Sequence, residues 1–180
     1  MKTPLPLFCL LLTTAPAFAQ MQPTMLTTAE RAAKAIAEGA EMTEPFKGAN
    51  TILIHTTDSA AVALKKFARA LILAGIEPDR IDAEIGYLTT KGKAIGTLTP
   101  AVYAYRVVST PERGGTVLTI SGDYTVRVGL TGGITAPMRW TPGNGNQGKG
   151  CFAVVEPAAL AYPGGRIWYK QGALIQPVMH

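Results

Sequence analysis

The sequence is poor in the residues that build disulfides, metal sites and reactive centres. Its 180 residues include two cysteines, Cys9 and Cys151, and two histidines, His55 and His180. Cys9 lies in a segment that we expect to be removed, so the remaining chain cannot form an internal disulfide. The spacing of the remaining cysteine and the histidines matches no zinc site. We therefore predict no metal, no cofactor and no recognisable catalytic group.

Long apolar runs are also missing. The apolar part of residues 1–19, MKTPLPLFCLLLTTAPAFA, is too short to span a bilayer, which requires about 20 apolar residues. A cation at Lys2, this short apolar stretch, and Ala17 and Ala19 on either side of Phe18 are typical of a secretory signal peptide. We expect an exported protein, periplasmic or secreted, without a transmembrane segment.

Charge is sparse and dispersed. Charged residues make up 16% of the chain, and 17 basic against 12 acidic residues give a net charge of +5. The densest basic group, Lys65, Lys66 and Arg69, falls on one side of a predicted helix, as expected for a solvated surface. This pattern argues against a nucleic acid partner.

Two regions follow the signal peptide. Residues 20–49 have few large apolar residues, and only the capping pair Thr27 and Glu30 indicates a helix there. We interpret this region as a leader helix or flexible segment. Residues 50–180 then form a single domain, with a Gly/Pro-rich surface loop at 129–150.

Periodicity assigns the elements of the domain. TILIHTT alternates like a strand, and apolar positions at helical spacing predict a helix from Ser59 to Ala74. Residues 81–87, 101–110 and 116–128 alternate like strands, and CFAVVEPAALAYPGG and RIWYK complete the chain as a helix and a short strand. The order predicts an α+β, two-layer sandwich in which one or two helices cover one face of an antiparallel sheet of about four to five strands.

The stretch GNGNQGKGC at residues 143–151 resembles a phosphate-binding loop only in part. Such a loop requires Ser or Thr after the lysine and a buried strand before the first glycine. Gly150 follows Lys149, and Pro142 precedes the stretch. We interpret it as a glycine-rich loop without nucleotide-binding function.

The leading hypothesis is a non-enzymatic binding or envelope-interaction domain, whose partner is an unknown protein or envelope component. Aromatic and basic side chains on the sheet and in the loop are the candidate contacts. These residues are Tyr103, Tyr105, Met138, Arg139, Trp140 and Lys149. We expect the sheet face around Tyr103 and Tyr105 to be exposed. Cys151 precedes an apolar stretch, which favours a buried thiol over one that pairs with another chain.

Two alternatives stay open. A hydrolase acting on envelope sugars or peptides could use His55 or the acidic group near Asp82, provided that His55 lies in a cleft beside a carboxylate or Cys151. A structural homodimer could form by edge pairing of the last strand, residues 166–170.

Four segments resemble small uncharacterised exported proteins of Gram-negative bacterial envelopes. They are TILIHTTDSAAVALKKFARALILAGI, IDAEIGYLTT, VYAYRVVSTPERGGTVLTISGDY and CFAVVEPAALAYPGGRIWYK, in this order. The resemblance covers the chain from Asn50 onward and concerns the order and pattern of the segments. It implies an α+β domain and assigns no catalytic residue.

Overall fold

A computed structural model describes residues 39–96, 100–128, 132–143 and 146–172. These form eight strands and two helices: β1 (Thr51–Thr56), α1 (Ala60–Leu73), β2 (Pro78–Asp82), β3 (Tyr87–Thr90), β4 (Lys93–Ile95), β5 (Ala101–Glu112), β6 (Gly115–Val128), β7 (Gly132–Pro137), α2 (Gln147–Leu160) and β8 (Arg166–Lys170). The predicted signal peptide and the predicted helix after Thr27 lie outside the described residues. Neither described helix is long and apolar enough to span a bilayer.

The strands form one antiparallel sheet in the order β2-β3-β5-β6-β1-β8. The predicted α+β class with an antiparallel sheet is confirmed, but the sheet has eight strands where four to five were expected. The additional strands arise because β5 and β6, besides pairing with each other, are each long enough to pair with two strands along their other side. β5 pairs with β4 near its start and with β3 further along, while β6 pairs first with β1 and then with β7.

Helix α1 confirms the predicted helix. Ser59 lies at its N-cap, and Gly75 follows its end with a φ of 70°, a left-handed conformation that glycine adopts without strain. Phe67 and Leu71 are fully buried, as the helical spacing of the apolar residues required.

The core lies between the two helices and one face of the sheet. Strand alternation brings apolar residues of neighbouring strands together on this face: Ile52 pairs with Ile120, Ile54 with Leu118, and Val107 with Ile120. All of these side chains are fully buried. Burial of each contributes about 1.5–3 kcal/mol to the free energy of unfolding, so this face is the main source of stability.

The predicted strand over residues 81–87 is wrong, because the chain turns in its middle. Residues 83–86 form a turn between β2 and β3, in which Gly86 has a φ of 72°. The carboxylate of Asp82 accepts a hydrogen bond from the Ile85 N–H at 3.3 Å and stabilises the turn. Ile81 and Ile85 are consequently exposed, although their spacing suggested a buried face.

The predicted long loop at 129–150 is also wrong for much of its length. It contains β7, whose backbone pairs with β6, and the first turn of α2, where the Asn146 side chain accepts a hydrogen bond from the Lys149 N–H at 2.8 Å. Backbone pairing and a helix cap therefore satisfy many of the polar groups of a segment with few apolar residues. The helix continues through Pro157.

Residues 39–49 pack on the sheet, so ordered structure begins before the expected boundary at Asn50. Met42 forms an antiparallel bridge with Tyr169 at the outer side of β8, and Ala49 is fully buried. Because this bridge occupies part of the β8 edge, β8 is a poorer surface for strand pairing between two chains than the sequence suggested.

We expect Leu71→Ala to lower the free energy of unfolding by about 2–5 kcal/mol, because it leaves a cavity beneath α1. Leu73 on the same helix is 80% exposed, and we expect Leu73→Ala to change stability by less than about 0.5 kcal/mol. Urea unfolding of both variants measures the difference. Equal losses would contradict the burial of this helix face.

Candidate functional site

The first candidate site is an open cleft of about 630 Å³. It lies between β7, the first turn of α2 and the end of the β5–β6 hairpin that is remote from the hairpin turn. We call it the apolar cleft. Four side chains of the sheet and three residues at the start of α2 form it: Tyr103, Tyr124, Val126, Ile134, Asn146, Gln147 and Gly150. Its volume lies within the range of small-ligand sites.

Strand register brings the sheet side chains of the apolar cleft together. Tyr103 lies opposite Tyr124, and Val126 lies opposite Ile134. Directly opposite residues in antiparallel strands share a face, so these four line one surface. Ile134 is 61% exposed. The sheet therefore presents uncovered apolar area at this end.

Gly150 allows α2 to approach the sheet at the cleft. A Cβ atom at this position would lie 2.7 Å from the Tyr103 hydroxyl, which is closer than van der Waals contact permits. The same hydroxyl donates a hydrogen bond to the Gln147 side chain at 2.8 Å. These two contacts fix the wall of the apolar cleft, since they join the first turn of α2 to β5.

The tyrosines do not form the exposed sheet face that the sequence suggested. Tyr103 is 4% exposed and Tyr105 is 1% exposed, because both face the helices. The Tyr105 hydroxyl donates a hydrogen bond to the Cys151 carbonyl at 2.8 Å. Burial raises the pKa of each tyrosine above its ordinary value. Tyr105 is a core residue, while Tyr103 also borders the apolar cleft.

The four remaining predicted contacts lie outside the lining of the apolar cleft. Met138 is fully buried and Arg139 is exposed. The Lys149 ammonium lies 5.8 Å from the centroid of the Trp140 ring, within range of a cation–π contact, and also donates to the Gly143 carbonyl. The structure thus brings Trp140 and Lys149 together at the start of α2.

Sequence reasoning missed most of the residues that line the apolar cleft. Tyr124 and Val126 alternate within TVLTISGDYTVRV, and this signal places them on one face of a strand. No such signal marks Ile134, Asn146 or Gln147. These residues reach the cleft only because β7 pairs with β6 and α2 begins at Gln147.

The second candidate site, the polar cleft, has a volume of about 360 Å³ and surrounds the β5–β6 turn. Its lining consists of His55, Thr56, Thr57, Glu112, Arg113, Gly114, Gly115, Thr116, Gly164 and Arg166. His55 Nε2 lies 3.2 Å from the Glu41 carboxylate, and Nδ1 lies 3.8 Å from the Glu112 carboxylate. Trp168 contacts the ring edge-on, with the two ring centroids 6.2 Å apart.

This arrangement meets the condition set for the hydrolase hypothesis, a histidine in a cleft beside a carboxylate. A carboxylate can orient an imidazole that accepts a proton. Among the described residues, however, no group of three or more His, Cys, Asp or Glu side chains could hold a metal ion.

Asp82 and Cys151, the two other residues named in the hydrolase hypothesis, are held in contacts that stabilise the fold. The Ile85 N–H and the Arg80 guanidinium hydrogen-bond Asp82 and lower the pKa of this carboxyl group. Cys151 is fully buried on α2, and burial raises the pKa of its thiol to about 12. Neither residue lines the polar cleft.

We expect Cys151 to resist alkylation in the folded protein. A thiol pKa of about 12 leaves only about one thiolate in ten thousand at about pH 8. In a Cys9→Ser background, N-ethylmaleimide should modify Cys151 slowly in buffer and rapidly in concentrated urea, as followed by mass spectrometry. Rapid modification in buffer would contradict the burial of α2 against the sheet.

The chain matches no known protein-family model, and no curated protein resembles it in sequence. The roles assigned to its residues therefore rest on the geometry of the two clefts.

Proposed function

We propose that this chain is an exported binding domain without enzymatic activity, and that its ligand occupies the apolar cleft. The observation that carries this proposal is the exposed side chain of Ile134 beside the half-buried Tyr124 and Val126, opposite a wall of fixed polar groups. Ligand sites commonly combine an apolar lining with a few convergent polar groups. The predicted signal peptide is the basis for placing the domain outside the cytoplasm.

The two walls of the apolar cleft have different chemical roles. The sheet side, with Val126 and Ile134, suits an apolar group of the ligand. Contact between that group and these side chains removes apolar surface of both from water, which favours binding. The helix side carries Asn146, whose amide caps α2 and contacts Thr141, and Gln147, whose side-chain oxygen accepts from Tyr103. The side-chain NH2 group of Gln147 is a further hydrogen-bond donor on this side. A ligand with an apolar side and a hydrogen-bonding side fits this arrangement.

We expect Ile134→Lys to weaken binding of the uncharged apolar dye Nile red at least about tenfold. A charged side chain would then border the cleft, and tenfold corresponds to about 1.4 kcal/mol of binding free energy. Ile85→Lys is the matched control, because Ile85 is similarly exposed but lies on the β2–β3 turn. Dye titration followed by fluorescence measures both.

If Ile134→Lys and Ile85→Lys changed dye affinity equally, the apolar cleft would not be the binding site. Urea unfolding measures the stability of each variant and so distinguishes a loss of binding at the site from a loss caused by unfolding.

The polar cleft supports a second candidate function, a hydrolase in which His55 activates water. The observation in its favour is the Glu41 carboxylate, which lies 3.2 Å from Nε2 and could orient the imidazole. Nδ1 lies 3.8 Å from the Glu112 carboxylate, beyond hydrogen-bond distance, so it is the nitrogen that would take the proton from water. Thr56 and Thr57 also line this cleft.

The proposed binding function predicts no turnover by the polar cleft. We expect the protein and its His55→Gln variant to cleave a panel of p-nitrophenyl esters, p-nitrophenyl glycosides and peptide anilides no faster than buffer does. Release of the coloured product is followed by absorbance. Turnover by the unaltered protein that His55→Gln abolishes would favour the hydrolase instead.

A further inference from the structure

Four strands lie at edges of the described sheet, and they differ in how their edges are protected. β2 begins with Pro78 and carries three charged residues, β4 is only three residues long, and Met42 bridges the outer side of β8. These are the usual ways in which proteins block unwanted strand pairing. β7, with the sequence GGITAP, has six residues and no charge. Its edge is therefore the one best suited to accept another strand.

The hydrogen-bond pattern shows which backbone groups of β7 are available. The Met138 N–H donates to the Gly122 carbonyl at 2.7 Å. Antiparallel pairs alternate, so Ile134 bonds to β6 through its backbone, whereas the N–H and C=O groups of Gly133 and Thr135 point away from β6. Among the described strands, β7 pairs only with β6. These outward groups match the spacing of another extended backbone.

An added strand would place side chains directly over the apolar cleft. Neighbouring strands lie about 4.8 Å apart, and opposite residues share a face. A residue of the added strand beside Ile134 would therefore face the cleft that Ile134 and Val126 line. An apolar side chain at that position would cover the exposed isoleucine.

The opposite face of β7 indicates the charge of the partner. Arg127 is exposed and lies opposite Gly133, which has no side chain to separate it from a further strand. Among the described residues, no carboxylate lies within 4.0 Å of the Arg127 guanidinium. An acidic residue of the added strand beside Gly133 would lie within reach of this guanidinium across the glycine.

We infer that the partner of the apolar cleft is an extended polypeptide segment that adds to β7 as a further strand. It carries an apolar residue beside Ile134 and an acidic residue beside Gly133, in other words apolar and acidic residues in alternation. This inference rests on the proposed function and narrows its ligand to a class, a β-strand-forming peptide.

The probe is the peptide acetyl-Thr-Ile-Asp-Ile-Thr-amide, titrated into the protein by isothermal calorimetry. Its control is the same peptide with an N-methyl group on the aspartate, which removes one backbone donor and keeps every side chain. We expect the methylated peptide to bind at least about tenfold more weakly. Replacing aspartate by lysine should weaken binding further than replacing it by asparagine, because lysine repels Arg127.

A matched pair of protein variants tests the edge itself. Thr135→Pro removes an outward N–H without removing a bond to β6, and proline is tolerated at strand edges. Thr135→Ala keeps that N–H and is the control. We expect Thr135→Pro to weaken peptide binding at least about tenfold, Thr135→Ala to change it less than about threefold, and both to bind the dye normally.

The outcomes separate this inference from the proposed function. Equal peptide affinity for Thr135→Pro and Thr135→Ala would overturn strand addition, while dye binding that depends on Ile134 would still support the cleft. Dye binding unaffected by Ile134→Lys would overturn the proposed function itself. If ultracentrifugation showed a dimer that Thr135→Pro dissociates, the occupant of the edge would be a second copy of this chain, and the assignment to a separate peptide would be wrong.

Discussion

The antiparallel ladder between β5 and β6 is the interaction on which the rest of the structure depends. It joins Ala101–Glu112 to Gly115–Val128 through a two-residue turn, in which Gly114 has a φ of 90°. One half of the ladder supplies Val107, Leu118 and Ile120 to the core. The other half extends to β4 and β7 and forms the floor of the apolar cleft. Stability and the candidate site therefore share one pair of strands.

Tyrosine hydroxyl groups fix the helix layer on this sheet. Tyr103 and Tyr105 of β5 donate to Gln147 and to the Cys151 carbonyl, and Tyr169 of β8 donates to the Glu156 carboxylate. Each ring fills apolar space while its hydroxyl satisfies a polar group of α2, so a buried tyrosine causes no unpaired donor. The polar wall of the apolar cleft is thus held by the same contacts that position α2.

The two clefts differ in the chemical groups that line them and in the part of the sheet that lies beside them. The apolar cleft continues into an uncharged strand edge, and its polar groups come from amides and backbone, which suit recognition of an extended chain. The polar cleft surrounds His55 with two carboxylates and a turn, and lies at the other end of the β5–β6 hairpin. Because the ladder separates them, a substitution in one cleft should leave the geometry of the other unchanged.

The sequence by itself determined the α+β class, helix α1 with its buried Phe67 and Leu71, and the strand character of β1, β5, β6 and β8, because local periodicity encodes which residues share a face. It did not determine that the helices cover the face with Tyr105, since alternation groups residues without saying which group is buried. Nor did it reveal β7, the turn that ends at Gly86 or the carboxylates beside His55. Those features depend on backbone pairing and on contacts between residues distant in sequence, such as Glu41 with His55, which only the folded arrangement of the strands brings together.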